Sequence, residues 1–544
     1  MGQYKVTLKY EGLSQAELVN LLIKRDAEAK LGLVWERNEI ERDQALNDSF
    51  VALELDAKAS LGRGPFKNLV VRGENFDALR WLRMTMAGRV KLIYLDPPYN
   101  TGNKDWVYND HYVNKTDRFR HSMWLEWMHT RLELARDLLA PDGAIFASID
   151  DNEGAQLKIL MDQVFGPRRF RASFIWQKVD SPNDNKPVIA ADHEFIHCYA
   201  SEEALAKWSK MPDANVLAGF SKRDEDGRLY RDRILRKNGK ASLRTDRESM
   251  WFKLDAPDGT PIWPIRADGK EGRWSHGLKG VKELEREKRL IWKEVTQPDG
   301  SLQWTPYARE FAKEEPSKPY PTIWADVETT RQSKDHHKQM FPGEEPFVTP
   351  KPEPLMARVL QIATQEDDLV LDLFLGSGTT AAVALKMNRR FIGIEAVPEI
   401  AAGAIRRLDS VRRGEEGGIS KAAEWEGTDD GVGVLSTRRI EMADLVYDLS
   451  PQQVWCAVQA LANVPITEWD ADKSVQSVET SQATICYCDR VSDAALASVT
   501  GFASSGRPLS IYAYTPGPFR DALREFRSIE VHALPDVLLR SFAS

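Results

Sequence analysis

Cysteine is scarce in this 544-residue chain. The four present, Cys198, Cys456, Cys486 and Cys488, are too few and too scattered for a disulfide framework, and no C-x-x-C pair offers a zinc knuckle or a redox site. A reducing cytoplasm is the expected location. Long apolar runs are also missing: no stretch approaches the ~18 uninterrupted apolar residues of a membrane span, and MGQYKVTLKYEG lacks the apolar segment of an export signal. No G-x-x-x-x-G-K-[ST] occurs, which excludes a phosphate-binding P-loop. Nor is positive charge in excess, with 74 Lys+Arg against 82 Asp+Glu and a net charge of −8. A polyanionic partner survives that count, because net charge averages over domains. Residues 215–318 hold 23 Lys+Arg against 18 Asp+Glu, and 221–240 alone hold eight against four.

What is present is an ordinary globular composition, 42% apolar and 29% charged, long enough for about three to five structural units. Residues 1–60 read as a polar amphipathic helical segment that includes AELVNLLIKRDAEAKLGLVW, ended by a Gly/Pro break. From 61 to 205 strand-like and helix-like runs alternate: VKLIYL at 90–95, a helix over 122–139, GAIFASI at 143–149 and a helix over 153–165. That rhythm predicts a parallel α/β sheet. It lapses over 206–318, which is rich in Gly, Pro, Arg, Lys and isolated tryptophans (Trp208, Trp251, Trp263, Trp274, Trp292, Trp304), and returns over 319–411. A Gly/Glu-rich stretch, 412–433, reads as a linker. Residues 434–544 read as a small α/β domain with strands in ATICYC, PLSIYA and SIEVHAL.

Two motifs carry chemistry. Asp96-Pro97-Pro98-Tyr99 directly follows VKLIYL, and the C-terminal ends of parallel strands are where α/β proteins hold ligands. The two prolines stiffen the turn. The Asp96 carboxylate and Pro97 carbonyl can each accept one hydrogen of an exocyclic amine, while Tyr99 offers a stacking face to a flat base. The bland alternative is a strand-end turn with a capping Asp and a core Tyr. The second motif is Asp372-Leu-Phe374-Leu-Gly376-Ser377-Gly378-Thr379-Thr380, with Glu395 ending the next strand. Gly376 and Gly378 permit close backbone approach at a helix N-terminus, and Glu395 is placed to take a ribose diol. The run also matches G-x-G-x-x-G/A, so a nicotinamide or flavin enzyme stands as a rival. Asp372 and Phe374 argue against it, suiting an amino acid and an adenine better than a pyrophosphate.

Together, in this order and flanking a basic insert, the motifs resemble the S-adenosylmethionine-dependent amino-methyltransferases of DNA. The match is to the circularly permuted β class and, within it, to the modification (Mod) subunits of type III restriction systems. Further matching segments are Gly73-Glu74-Asn75, with Glu74 where the family usually has Asp, Asn100-Thr101-Gly102, Trp124 to Leu139, Ser148 to Glu153, His193-Glu194-Phe-Ile, Ile323 to Arg331 and Phe347 to Pro352. The resemblance implies a Rossmann-like methyltransferase domain with an inserted target-recognition domain, acting on the N6 amine of an adenine flipped from double-stranded DNA. Asp96, Pro97, Pro98 and Tyr99 would then hold the target. Phe374, Gly376 and Gly378, with Ser377 and Thr379 in the same loop, would meet the methionine side of S-adenosylmethionine, Asp372 its amino group and Glu395 its ribose. Phe347, Thr349 and Lys351 would close over the methionine end.

Asp in the first motif position favours adenine N6 over cytosine N4, which stays as an alternative, as does a catalytically silent DNA-recognition subunit. The resemblance also implies a homodimer and a possible separate restriction subunit. Target recognition falls on the insert, where Arg233, Arg236 and Lys237 are the expected DNA contacts and most tryptophans are expected to be core. Three features are declined. His193-Glu-Phe-Ile-His197 matches a zinc-protease pattern, but EFIHCY reads as a strand, which would hold the two imidazoles about 13 Å apart. No metal is expected. His336-His337 reads as a solvated pair on a polar helix, and Cys486-Tyr-Cys488 as two buried thiols on a strand.

Overall fold

Leu92, Ile93, Tyr94 and Leu95 are all buried, and so are Val370, Leu371, Ile392 and Ile394, the unbroken apolar pattern of strands covered on both faces. The computed structural model describes residues 14, 15, 19, 49–101, 120–180, 188–296 and 300–543. Among them the chain forms two compact units, one of residues up to 209 together with 321–544, the other Lys210–Tyr320.

The first unit is built on a ten-stranded sheet. Its strands are β1 (Ser49–Leu55), β2 (Arg63–Arg72), β3 (Val90–Leu95), β4 (Leu139–Ile149), β5 (Phe170–Gln177), β6 (His193–Ala200), β7 (Ile323–Trp324), β8 (Leu369–Asp372), β9 (Arg390–Glu395) and β10 (Asp430–Glu441). They lie in the order β1-β10-β2-β9-β8-β3-β4-β6-β5-β7. From β10 to β4 all neighbours are parallel, whereas β6 runs antiparallel to both β4 and β5. The consequence for function lies in one pairing. β8 sits beside β3, with Leu371 opposite Ile93 and Asp372 opposite Tyr94, so two loops far apart in sequence leave the C-terminal ends of neighbouring strands side by side.

The helices Asn75–Met86 and Arg120–Leu138 enter the main core through Leu79, Trp81, Leu82, Trp124, Met128 and Leu132. Glu74 caps the first of these, its carboxylate accepting from the Phe76 amide and pairing with Arg131.

Four sequence expectations need correction. Residues 49–55 form strand β1 rather than helix, because Phe50, Val51, Ala52 and Leu53 are all buried beside β10; the run 16–35, apart from Val19, lies outside the described residues. The stretch 412–433 is not an open linker: Ile419 and Ser420 are buried, and Glu415 and Gly417 bond the buried Lys386. Position 434 is not a domain boundary, since it falls inside β10, which runs between β1 and β2. His336 is not solvated. It is buried on helix Thr330–Met340 with Nε2 2.7 Å from Glu415, in a cluster where Lys386 and Arg407 reach Glu353. Composition cannot reveal such a cluster, because its members are spread over about eighty residues of sequence.

The C-terminal strands Thr484–Cys488, Leu509–Ala513 and Ile529–Ala533 are parallel neighbours in a four-stranded sheet. Cys486, Cys488, Ile511 and Phe519 form its own small core, while Trp455 and Tyr487 belong to the main one. In the other unit, Lys222–Arg223, Leu229–Ile234, Leu290–Thr296 and Leu302–Phe311 make an antiparallel sheet. Trp274, buried with Leu235, Val281 and Ala308, centres its core, and Trp292 and Trp304 pack against it. Trp263 is instead 41% exposed, its ring 5.1 Å from that of Trp251.

Candidate active site

Asp96-Pro97-Pro98-Tyr99 leaves the end of β3. The Trp124 indole donates to the Pro98 carbonyl (2.8 Å), anchoring the turn. Asn100 follows with φ +55°, a left-handed conformation that Asn tolerates. Its side chain donates to Glu153, a wholly buried carboxylate that also meets His121 Nδ1 at 2.6 Å. Thr101 is the last described residue of the loop, and Gly102 lies outside.

Tyr99 turns its hydroxyl to Asp96 Oδ1 (2.8 Å) and Glu194 Oε2 (3.0 Å). Lys351 Nζ lies 2.7 and 2.8 Å from the two Asp96 oxygens and 3.1 Å from the Tyr99 hydroxyl. Glu194 Oε2 is 3.4 Å from the same ammonium, and Lys178 Nζ is 3.3 Å from Glu194 Oε1. Burial pushes the Asp96 carboxyl up, and so does Glu194; Lys351 opposes them, and the net displacement is upward. Burial acts on Glu194 in the same sense, but two ammonium groups outweigh it and hold Glu194 below the ordinary carboxylate range.

The second loop leaves β8. Gly376 (φ +51°) and Gly378 (φ +78°) both adopt left-handed backbone, and Gly378 caps helix Thr379–Lys386. A Cβ on Gly376 would lie 3.5 Å from the Phe347 ring, which packs beside this loop. The Gly376 and Val397 amides donate to the two oxygens of Glu395 (3.0 and 2.9 Å). Asp372 accepts from the Phe374 amide (2.9 Å). No cationic side chain pairs with it among the described residues. Burial, with smaller contributions from Asp96 and Glu395, pushes its carboxyl up to about 7. The Phe374 ring lies 5.6 Å from Trp127.

The remaining expected contacts divide. Ser377 Oγ meets Thr379 Oγ1 (3.1 Å), and Thr379 is committed to the Lys351 carbonyl (3.1 Å) and Arg407 (2.9 Å). Thr349 is exposed. Lys351 requires a correction: its backbone abuts the glycine loop through Thr379, but its ammonium lies on Asp96, because Asp96 and Glu194 are the anions it pairs with among the described residues. In the other unit, Arg233 has a 62% exposed side chain 3.6 Å from Glu310. Arg236 is half-buried and donates to the Ile265 carbonyl, and Lys237 is half-buried.

Sequence reasoning missed the roles of Glu194, Asn75 and Arg131. Asn75 donates to the Leu373 carbonyl (3.1 Å) and accepts from Arg131 Nε (2.6 Å), tying the Gly73-Glu74-Asn75 turn to the second loop. An acid in the strand His-Glu-Phe-Ile was a visible signal, since a carboxylate that is 6% exposed needs partners. A further set also escaped notice: Lys222, Lys293 and Arg309 converge on Asp232, with Arg309 4.0 Å from the Tyr230 ring and Lys293 4.4 Å from that of Tyr307.

An acidic, aromatic loop and a glycine loop that opens on a buried carboxylate, leaving neighbouring parallel strands, define a Rossmann-like protein. The family model for DNA methylases of the N6/N4 type matches residues 90–406, and the chain belongs to that family. The probable type III restriction-modification enzyme HindVI Mod subunit of Haemophilus influenzae is 31% identical over 443 residues, 72% of this chain and 58% of that protein. The type III restriction-modification enzyme EcoPI Mod subunit of Escherichia phage P1 is 30% identical over 367 residues, 60% of this chain and 56% of that protein. The type II methyltransferase M.KpnI of Klebsiella pneumoniae is 31% identical over 330 residues, 58% of this chain and 76% of that protein. The chain thus spans little more than half the length of the type III subunits it matches. Among the described residues no helix is long and apolar enough to cross a membrane.

Proposed function

We propose that the chain methylates the N6 amine of an adenine flipped out of double-stranded DNA, using S-adenosylmethionine. The pairing of β3 with β8 carries this reading, because it sets the Asp96 loop against the Asp372 to Thr379 loop. The cofactor fits the second loop: Asp372 is a buried carboxylate with no cationic partner among the described residues, suited to the ligand's amino group, and Glu395 is suited to its ribose. When bound it supplies an electrophilic methyl group on a sulfonium.

The chain's own residues do the positioning. The Asp96 carboxylate and Pro97 carbonyl accept the two amino hydrogens, which aims the nitrogen lone pair, and Tyr99 stacks on the base, offsetting the few kcal/mol of unstacking. No strong base is needed, since the nitrogen becomes acidic once methylated. Orientation supplies most of the rate gain.

In the Lys210–Tyr320 unit, Arg233 and Lys237 are the proposed phosphate contacts, and the Lys222, Lys293 and Arg309 set with its tyrosines is a further one. Arg236 serves more to fix the backbone at Ile265. By likeness to the type III Mod subunits, the reading includes a homodimer, a separate restriction subunit and a cytoplasmic, nucleoid-associated location. Light scattering on the purified chain tests the dimer.

The reaction is tested by expressing the chain in a methylation-free bacterial host and sequencing the genomic DNA with detection of modified bases. A short motif bearing N6-methyladenine is expected. N4-methylcytosine would move the target base, and no modification, from a chain shown to bind S-adenosylmethionine, would favour a silent recognition subunit.

A further inference from the structure

Lys351 is 7% exposed, and it gives its ammonium to both oxygens of Asp96. Tyr99 has a single hydroxyl hydrogen to offer to Oδ1 or to Glu194 Oε2. Lys351 thus occupies a lone pair on each oxygen of the same carboxylate that the methyltransferase reading assigns to the incoming amine. A target amine makes the demand that Lys351 already meets, a nitrogen donating hydrogen to Asp96 beside the Tyr99 ring, whose centroid is 5.3 Å from Nζ.

A second carboxylate stands ready for the displaced ammonium. Glu194 Oε2 is 3.4 Å from Nζ, and its side chain is 8% exposed. With Lys178 on its other oxygen, the group comprises two carboxylates and two ammoniums. Moving Nζ from Asp96 to Glu194 leaves every charge in place within the pocket, so the step avoids the cost of exposing or burying an ion.

We propose that Lys351 is a built-in stand-in for the target amine, which shifts from Asp96 onto Glu194 when the base enters and returns when the methylated base leaves. Glu194 is thus a positioning residue that receives Lys351. This inference rests on the methyltransferase reading and deepens it. A pocket shaped to hold an alkylammonium also suits the amine at the moment it becomes cationic, when the nitrogen gains its bond to carbon as the sulfonium loses its own. Once that nitrogen has passed its proton through Asp96 to solvent it is neutral, and the charged Lys351 competes with it for the restored Asp96 carboxylate.

The test is an epistasis measurement. Wild type, Glu194→Gln, Lys351→Met and the double variant are assayed for methyl transfer to plasmid from a methylation-free host, with S-adenosylmethionine affinity by calorimetry as the folding control. Base flipping is followed on a duplex carrying 2-aminopurine at the methylated position. Glu194→Gln leaves Lys351 with Asp96 as its one carboxylate, so the KM for DNA should rise about tenfold while kcat changes less than about threefold, the size of one charge-assisted bond. Lys351→Met should lower the KM for DNA and strengthen the 2-aminopurine signal. In the Lys351→Met background, Glu194→Gln should no longer raise KM.

A KM increase of equal size in both backgrounds would make Glu194 merely structural and overturn the inference. Unchanged KM and flipping in Lys351→Met would overturn it independently of how Glu194→Gln folds. Absence of transfer by the wild type would instead remove the reading on which it rests.

Discussion

Asp372 gives the account a quantitative handle. In the free protein its carboxyl is pushed up to about 7, chiefly by burial, while the ligand's amino group calls for its ionised form. Affinity for S-adenosylmethionine should therefore rise with pH as the carboxylate forms. Between pH 6 and 7.5 the ionised fraction grows from about 0.09 to about 0.76, so the dissociation constant should fall about eightfold, or ~1.2 kcal/mol. Asp372→Asn removes the titration and should show a flat profile over that range, with binding at pH 7.5 weaker by about ten- to a hundredfold, the loss of a charge-assisted bond. The assay is calorimetry in two buffers of different ionisation enthalpy, which also reports protons released on binding. Linkage supplies an independent sign. A carboxyl raised in the folded state favours folding at low pH, and that contribution is lost as pH rises through about 7. Free Asp372→Asn should accordingly be more stable than wild type above pH 7, with the advantage shrinking towards pH 4. A flat profile for the wild type, or the same slope in both proteins, would refute the assignment of Asp372 to the amino group.

Three other predictions are simpler. Gly378 has φ +78° and a Cβ there would lie 3.2 Å from Ala404, so Gly378→Trp should distort the loop, abolishing cofactor binding in calorimetry and lowering the urea midpoint. Reversing charge at Arg233 and Lys237 should weaken DNA binding and flatten its salt dependence; an unchanged slope would remove both from the interface. Lys386 is fully buried between Glu353 and Glu415, so Lys386→Met should destabilise the fold by about 1–3 kcal/mol in urea denaturation, because it removes charge-assisted bonds to both carboxylates and leaves Glu353 to Arg407 and Glu415 to His336.

The elements over 90–95, 120–165 and 369–412 were readable in order, because buried parallel strands write themselves as short apolar runs and the two motifs sit at their ends; β5 and β6 depart from the expected parallel sheet, since β6 runs antiparallel to both β4 and β5. The strand pairing that unites those motifs was not. VKLIYL and LVLDL are nearly 280 residues apart, and no local pattern states that they are neighbours. Strand β10 escaped for the opposite reason: DGVGVLSTRRIE begins in a glycine-rich stretch that reads as a linker, yet its Val432, Val434 and Leu435 are buried beside β2. At the site, Asp96, Tyr99, Gly376 and Gly378 stood out by residue type and spacing. Lys351 was placed one loop away from where its ammonium lies. A long side chain reports its Cα position in sequence and its charge partner only in three dimensions, and Glu194, on an antiparallel strand of the same sheet, is the partner that decides it.

The central claim is most directly tested by methyl transfer from labelled S-adenosylmethionine to DNA of a methylation-free host, comparing wild type with Asp96→Ala and digesting the product to nucleosides. The account predicts label in N6-methyladenine for the wild type and none for Asp96→Ala, with cofactor affinity within about threefold, a difference below 1 kcal/mol. Retained transfer by Asp96→Ala, or label on another nucleoside, would contradict it.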